Sequence, residues 1–239
     1  MALTITSEYE LELLYGIVGL FFVLFTGFVT LIDRSDGAIQ RRVAGCTASI
    51  AMLTLTFFYL AMFFRLRSGN TSLESFQDTE LILRIVVSCI VFGAIFACVA
   101  VCLQHHWMTT LQIIVLVTLA WLFLLTHQLG GEEAGSGVFF YLIHVVTLIV
   151  ALQKLMSYTH THTKDAQLSK VLVLLSVVIY AMIWAFIVPS SSVPLKNEPL
   201  HRAVVFAALD VTLIPILFVQ HLYLPLRAYR RPSTATPPI

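Results

Sequence analysis

Residues 203–223 read AVVFAALDVTLIPILFVQHLY, an apolar run with a single carboxylate, Asp210, at its middle. A helix that crosses a bilayer needs about 20 mostly apolar residues, so this run is read as a membrane span. An ionisable side chain inside such a run is costly and marks a functional candidate. Pro215 follows five residues later and has no N–H to offer the carbonyl of Val211. The helix is therefore expected to kink there and leave a polar group inside the bundle, with Thr212 placed to satisfy part of it.

Reading outward, six more runs of similar length precede this one, at about Leu11 to Ile32, Val43 to Phe64, Leu81 to Leu103, Met108 to Thr126, Val138 to Leu155 and Leu168 to Val188. The whole chain of 239 residues is 59% hydrophobic and 11% charged, with a mean hydropathy of +0.91. That composition excludes an ordinary soluble domain. The expected fold class is all-α, a seven-transmembrane-helix bundle with residues 11–225 as the membrane domain, residues 1–10 as an extracellular segment and 226–239 as a cytoplasmic tail. The connections are short: Asp33 to Gly37 form a turn, Gly130 to Gly137 an acidic glycine-rich one, and Pro189 to Pro194 break the sixth helix. A net charge of +1, with basic residues scattered in small groups, gives no reason to expect nucleic acid. The acidic N-terminus is unlike a cleavable signal.

Cytoplasmic loops retain Lys and Arg, so counting them orients the bundle. With the N-terminus outside, the inner side holds Arg34, Arg41, Arg42, Lys154, Lys164, Lys170, Arg227, Arg230 and Arg231, nine in all, against four outside, Arg65, Arg67, Lys196 and Arg202. The N-terminus is expected outside and the C-terminus in the cytoplasm. Asn70-Thr71-Ser72 is then a glycosylation triplet on the outer side.

Two full charges fall within the expected spans, Arg84 in the third and Asp210 in the seventh. Each alone in hydrocarbon would cost about 2.5–3.5 kcal/mol on insertion scales, and both spans enter from the same side, so a mutual ion pair is expected. Such a pair fixes helix packing or lines a proton or ion path. The four cysteines lie in or beside spans and read as packing residues; Cys98 and Cys102 share a helical face but lack a third ligand. His144 is the one mid-span histidine and reads as a satisfied buried polar group. A haem held between it and His127, or a surface metal among His105, His106, His160 and His162, is not expected. No HExxH, Gly-x-Ser-x-Gly or phosphate-binding glycine loop is present, and the spans supply one carboxylate where aspartyl chemistry needs two. An enzyme is not expected.

The stretch Lys170-Val171-Leu172, the turn around Val193-Pro194-Leu195 with Asn197 and Glu198, and Leu209-Asp210-Val211-Thr212 resemble the last two helices of the microbial (type 1) rhodopsins. Arg84 resembles the family's buried arginine, and Asp210 its seventh-helix carboxylate. The resemblance implies a seven-helix fold around a retinal pocket, onto which Val87, Ser88, Tyr180, Trp184 and Ile214 map. The family's retinal lysine stands four residues after that aspartate, where this sequence has Ile214. The pumps' proton acceptor, three residues after the arginine, is replaced by Val87, and the tryptophan after it by Ser88. The four lysines, Lys154, Lys164, Lys170 and Lys196, lie in loops or at span ends. The resemblance therefore implies a member lacking the Schiff-base lysine, with no cofactor and no light-driven transport. A Bax-inhibitor-like channel is the other seven-helix resemblance, but its second pore carboxylate is missing from the sixth span. The expected role is assembly in a homo-oligomer or with another membrane protein. The alternatives are a passive proton or cation conductor through Arg84 and Asp210, and noncovalent capture of a lipid or retinoid. Ile214, Phe96 and Trp184 are expected to fill part of the former pocket.

Overall fold

Each apolar run falls on one α-helix over its described residues, the third run reaching one residue past the end of its helix, at Leu103. The computed structural model describes residues 2–33, 39–69, 73–103, 105–130, 136–157, 164–187 and 199–229. The helices are α1 (Ala2–Asp33), α2 (Ile39–Arg67), α3 (Leu73–Cys102), α4 (Trp107–Gly130), α5 (Ser136–Ser157), α6 (Lys164–Ile187) and α7 (Pro199–Tyr229). Among the described residues, five, α1 to α5, carry spans long and apolar enough to cross a bilayer, and α6 carries a shorter apolar stretch, Lys170–Trp184. The protein is a multi-pass integral membrane protein.

The helices outlast the apolar runs that announce them. α1 has 32 residues, about 48 Å at about 1.5 Å each, against a hydrocarbon core of about 30 Å. Hydropathy tracks the hydrocarbon; the hydrogen-bonded ladder continues until something breaks it. Residues 2–10, expected as a separate N-terminal segment, hold no Gly or Pro and form the start of α1. α7 likewise continues past position 225 to Tyr229. At the end of α2 the breaker is visible. Gly69 takes φ 65, its N–H reaches Leu66 O at 3.1 Å and that of Ser68 reaches Phe64 O at 3.0 Å, a glycine-terminated helix end.

Neighbours in sequence pack as neighbours in space from α1 to α6, and α7 closes the bundle against α1, α2, α3 and α6. α3 is the hub, touching α2, α4, α6 and α7, and residues 91–100 are buried without interruption. A helix that is apolar and buried on every face belongs at the centre. α1 and α2 approach closely because Gly16 and Gly19 face α2: a Cβ on Gly19 would lie 3.0 Å from Leu60 Cδ2, and one on Gly16 3.1 Å from Phe63 Cδ2. Small residues permit such approaches where no hydrophobic effect drives helices together. Thr26 and Thr56, both buried, place their hydroxyl oxygens 3.4 Å apart across the same interface.

Candidate functional site

α3 and α7 carry their charges at helical spacing. Glu80 and Arg84 are four residues apart, and Arg202 and Asp210 eight, so each pair lies along one face of its helix. All four are at most 3% exposed. They interlock in alternating sign: Arg202 Nη2 meets Glu80 Oε2 at 2.8 Å, Arg84 Nε donates to Glu80 Oε1 at 2.7 Å, and Arg84 Nη1 donates to Asp210 Oδ2 at 3.2 Å. The ladder has two cations and two anions, so its own formal charge is zero. Burying any of them unpaired would cost several kcal/mol.

Two buried charges were expected, and among the described residues four are buried, Glu80 and Arg202 beside Arg84 and Asp210. Glu80 and Arg202 stand one residue before the apolar runs as read from sequence, and Arg202 was placed among the outer loop cations. Helical continuation at both ends carries them inside, where each satisfies the other.

Asp210 is held from three further helices. Tyr59 on α2 donates its hydroxyl to Oδ2 at 2.6 Å, Tyr180 on α6 donates to Oδ1, and Arg84 arrives from α3. The guanidinium is also sandwiched, with its central carbon 4.7 Å from the Phe58 ring centroid and 4.4 Å from that of Phe206, within the range of cation–π attraction. Tyr15 brings α1 to the same wall, its ring against Phe58, Tyr59 and Phe76.

Beside Tyr180 an aromatic layer occupies the bundle interior. Phe92 contacts Trp121 and, edge to face at 4.8 Å, Tyr180. Trp184 lies 6.0 Å from Trp121 and 5.5 Å from Phe206. Trp184, Phe96 and Ile214 are buried members of one hydrophobic cluster, and Val87 packs against it. Ser88 is buried as well. Among the described residues, the lysine ammonium groups lie toward helix ends: Lys154 Nζ donates to Gln112 Oε1 at 2.9 Å and Lys170 Nζ to Met156 O at 3.3 Å.

Solved structures share this architecture, two of them over nearly the whole chain. A thermophilic rhodopsin superimposes with a TM-score of 0.73 over 91% of this chain and 92% of its own, at 11% identity. The light-driven proton pump LR (Mac) from Leptosphaeria maculans gives 0.73 over 92% and 96%, at 13% identity. The fold is that of the microbial rhodopsins. No protein-family model and no curated protein matches the chain. Identities this low carry the rhodopsin fold and nothing about activity.

Within that rhodopsin fold, α7 runs through Pro215, which is buried. Thr212, expected to serve the carbonyl of Val211, bonds Ala208 O at 2.6 Å instead, because a threonine hydroxyl on a helix reaches back four residues. His144 is fully buried, its Nδ1 2.7 Å from Ala120 O and its ring 4.9 Å from Trp121, which ties α5 to α4. His105 Nε2 lies 3.0 Å from Leu155 O. Among the described residues no three His, Cys, Asp or Glu side chains cluster as metal ligands. Asn70, His160 and His162 and the side chains of Cys102 and His127 lie outside the described residues.

Proposed function

We propose that this chain is a retinal-free membrane protein of rhodopsin fold that performs no light-driven transport and acts through contact with a second copy or another membrane protein. The observation that carries this reading is the combination at α7. Both oxygens of Asp210 accept hydrogen bonds from neighbouring helices, while position 214, where the rhodopsin resemblance puts the retinal lysine, holds a buried isoleucine. An isoleucine forms no Schiff base, and a carboxylate clamped by one guanidinium and two phenols is held by three partners rather than poised for relay. With the interior committed to its own side chains, the lipid-facing surface remains for recognition. The orientation that accompanies this reading is N-terminus out. Withdrawing buried Arg202 from the outer loop count leaves nine cations against three, which strengthens the asymmetry.

An absorption spectrum of the purified protein, with and without all-trans retinal and beside Ile214→Lys, tests it. The native protein should show no visible band. A red-shifted band confined to the variant identifies a retinal-shaped interior that has lost its attachment point, and no band in either identifies an interior filled by its aromatic layer. A visible band in the native protein overturns the retinal-free reading.

A further inference from the structure

Among the described residues, three ring nitrogens of the aromatic layer on α4, α5 and α6 are left unpartnered. Trp121 on α4, His144 on α5 and Trp184 on α6 are each at most 1% exposed, and Trp121 Nε1, His144 Nε2 and Trp184 Nε1 have no hydrogen-bond partner. Trp121 touches both of the others, its ring centroid 4.9 Å from that of His144 and 6.0 Å from that of Trp184. Tyr141, whose ring also lies against His144, gives its hydroxyl to Ala181 O at 2.8 Å and serves none of them. The layer is not filled solid either: Gly93, the residue after Phe92, is buried, yet a Cβ on it would meet no atom within 4 Å.

The three atoms are chemically complementary to one small molecule. Ala120 O can only accept, so His144 Nδ1, 2.7 Å from it, carries the ring proton. With the ring neutral, Nε2 then offers a lone pair, while each indole N–H can only donate. Two donors and one acceptor match the oxygen and one hydrogen of a water, and about three hydrogen bonds is the usual complement of a buried water. We propose that this point of the bundle is a binding site for a single water, which accepts from Trp121 and Trp184 and donates to His144. Leaving three buried polar atoms unmet costs more than immobilising one water. The water joins α6 to the α4–α5 pair that His144 and Ala120 already tie together.

Hydroxyl-radical footprinting of the full-length protein in detergent tests this, because X-ray pulses split bound water and oxidise the side chains that touch it. Trp121 and Trp184 should be oxidised, while Met52, fully buried and carrying a more reactive sulfur, should not. After rapid mixing into heavy-oxygen water, the oxygen added to Trp121 and Trp184 should stay light after that added to Trp107, 67% exposed, has turned heavy. Trp184→Phe removes one hydrogen bond and keeps the His144–Ala120 contact, so exchange at Trp121 should quicken about fivefold. His144→Phe should abolish oxidation of both tryptophans. Oxidation of Trp121 and Trp184 no greater than that of Met52 overturns the proposal and assigns their N–H groups to neighbouring ring faces. So does heavy oxygen reaching them as fast as it reaches Trp107, which reports bulk solvent, or oxidation unchanged in His144→Phe.

Discussion

At the scale of single residues, the buried ladder behaves as one electrical unit. Glu80 separates two guanidinium groups, at 2.7 Å from Arg84 and 2.8 Å from Arg202. Glu80→Gln leaves the ladder with one excess positive charge, and breaking a buried pair in this way costs about 3–5 kcal/mol. Removing Arg202 as well, in Glu80→Gln/Arg202→Met, restores neutrality, because Arg84 and Asp210 still face each other. The double variant should therefore unfold at a higher temperature than the single one. Equal or lower stability of the double variant would show that packing, not charge balance, holds this region. Tyr59→Phe and Tyr180→Phe each delete one donor to the carboxylate and should each lower stability by about 1.5–3 kcal/mol, measured by thermal unfolding in detergent. Arg84 and Asp210 were legible from sequence because a charge inside an apolar run has no other easy reading. Glu80 and Arg202 were not, since a charge at the edge of a run reads equally well as loop. The spacing Glu80-x-x-x-Arg84 was the available signal. Tyr59 gave none, since tyrosines are ordinary in spans, and Tyr180 was read as a pocket wall where it is a donor to Asp210.

At the scale of helices, the position of Tyr59 depends on how closely α1 approaches α2. A Cβ at Gly19 would lie 3.0 Å from Leu60 Cδ2 and 3.5 Å from Tyr59 Cβ. Gly19→Leu should therefore push α2 aside and destabilise the protein by about 1–3 kcal/mol through overpacking. Gly93, inside α3, is the contrasting case: a Cβ there meets no atom within 4 Å. Gly93→Ala should raise stability by about 0.5–1 kcal/mol through helix propensity alone. Thermal unfolding of the two variants side by side separates packing from propensity. The seven helices among the described residues were legible because each falls on a long apolar run, five of them long and apolar enough to cross a bilayer. Their ends were not, because the same hydropathy signal stops at the hydrocarbon boundary while the backbone ladder of α1 and α7 does not. The partner of Thr212 was misread for a local reason: the hydroxyl serves its own preceding turn, Ala208 O, before any gap left by a proline further on.

At the scale of the molecule, the arrangement of charge decides whether the bundle conducts. A proton or cation path needs groups that exchange partners in sequence, with room between them for water. Here Arg202, Glu80, Arg84 and Asp210 are already paired with one another, and Phe92, Trp121, Trp184 and Phe206 form a contiguous aromatic layer beside Tyr180. Opening a route would mean separating buried opposite charges, which costs about 3–5 kcal/mol for each pair broken. Vesicles containing the protein should therefore dissipate an imposed proton gradient no faster than protein-free vesicles, in darkness and in light. Asp210→Asn should leave that rate unchanged while lowering the unfolding temperature, since it strands part of the charge on Arg84. A leak through the native protein that Asp210→Asn abolishes would reverse the assignment and make the ladder a conduction path. The two outcomes separate because stability and permeability depend on Asp210 in different ways: the first requires only that its partners be present, the second that it release them.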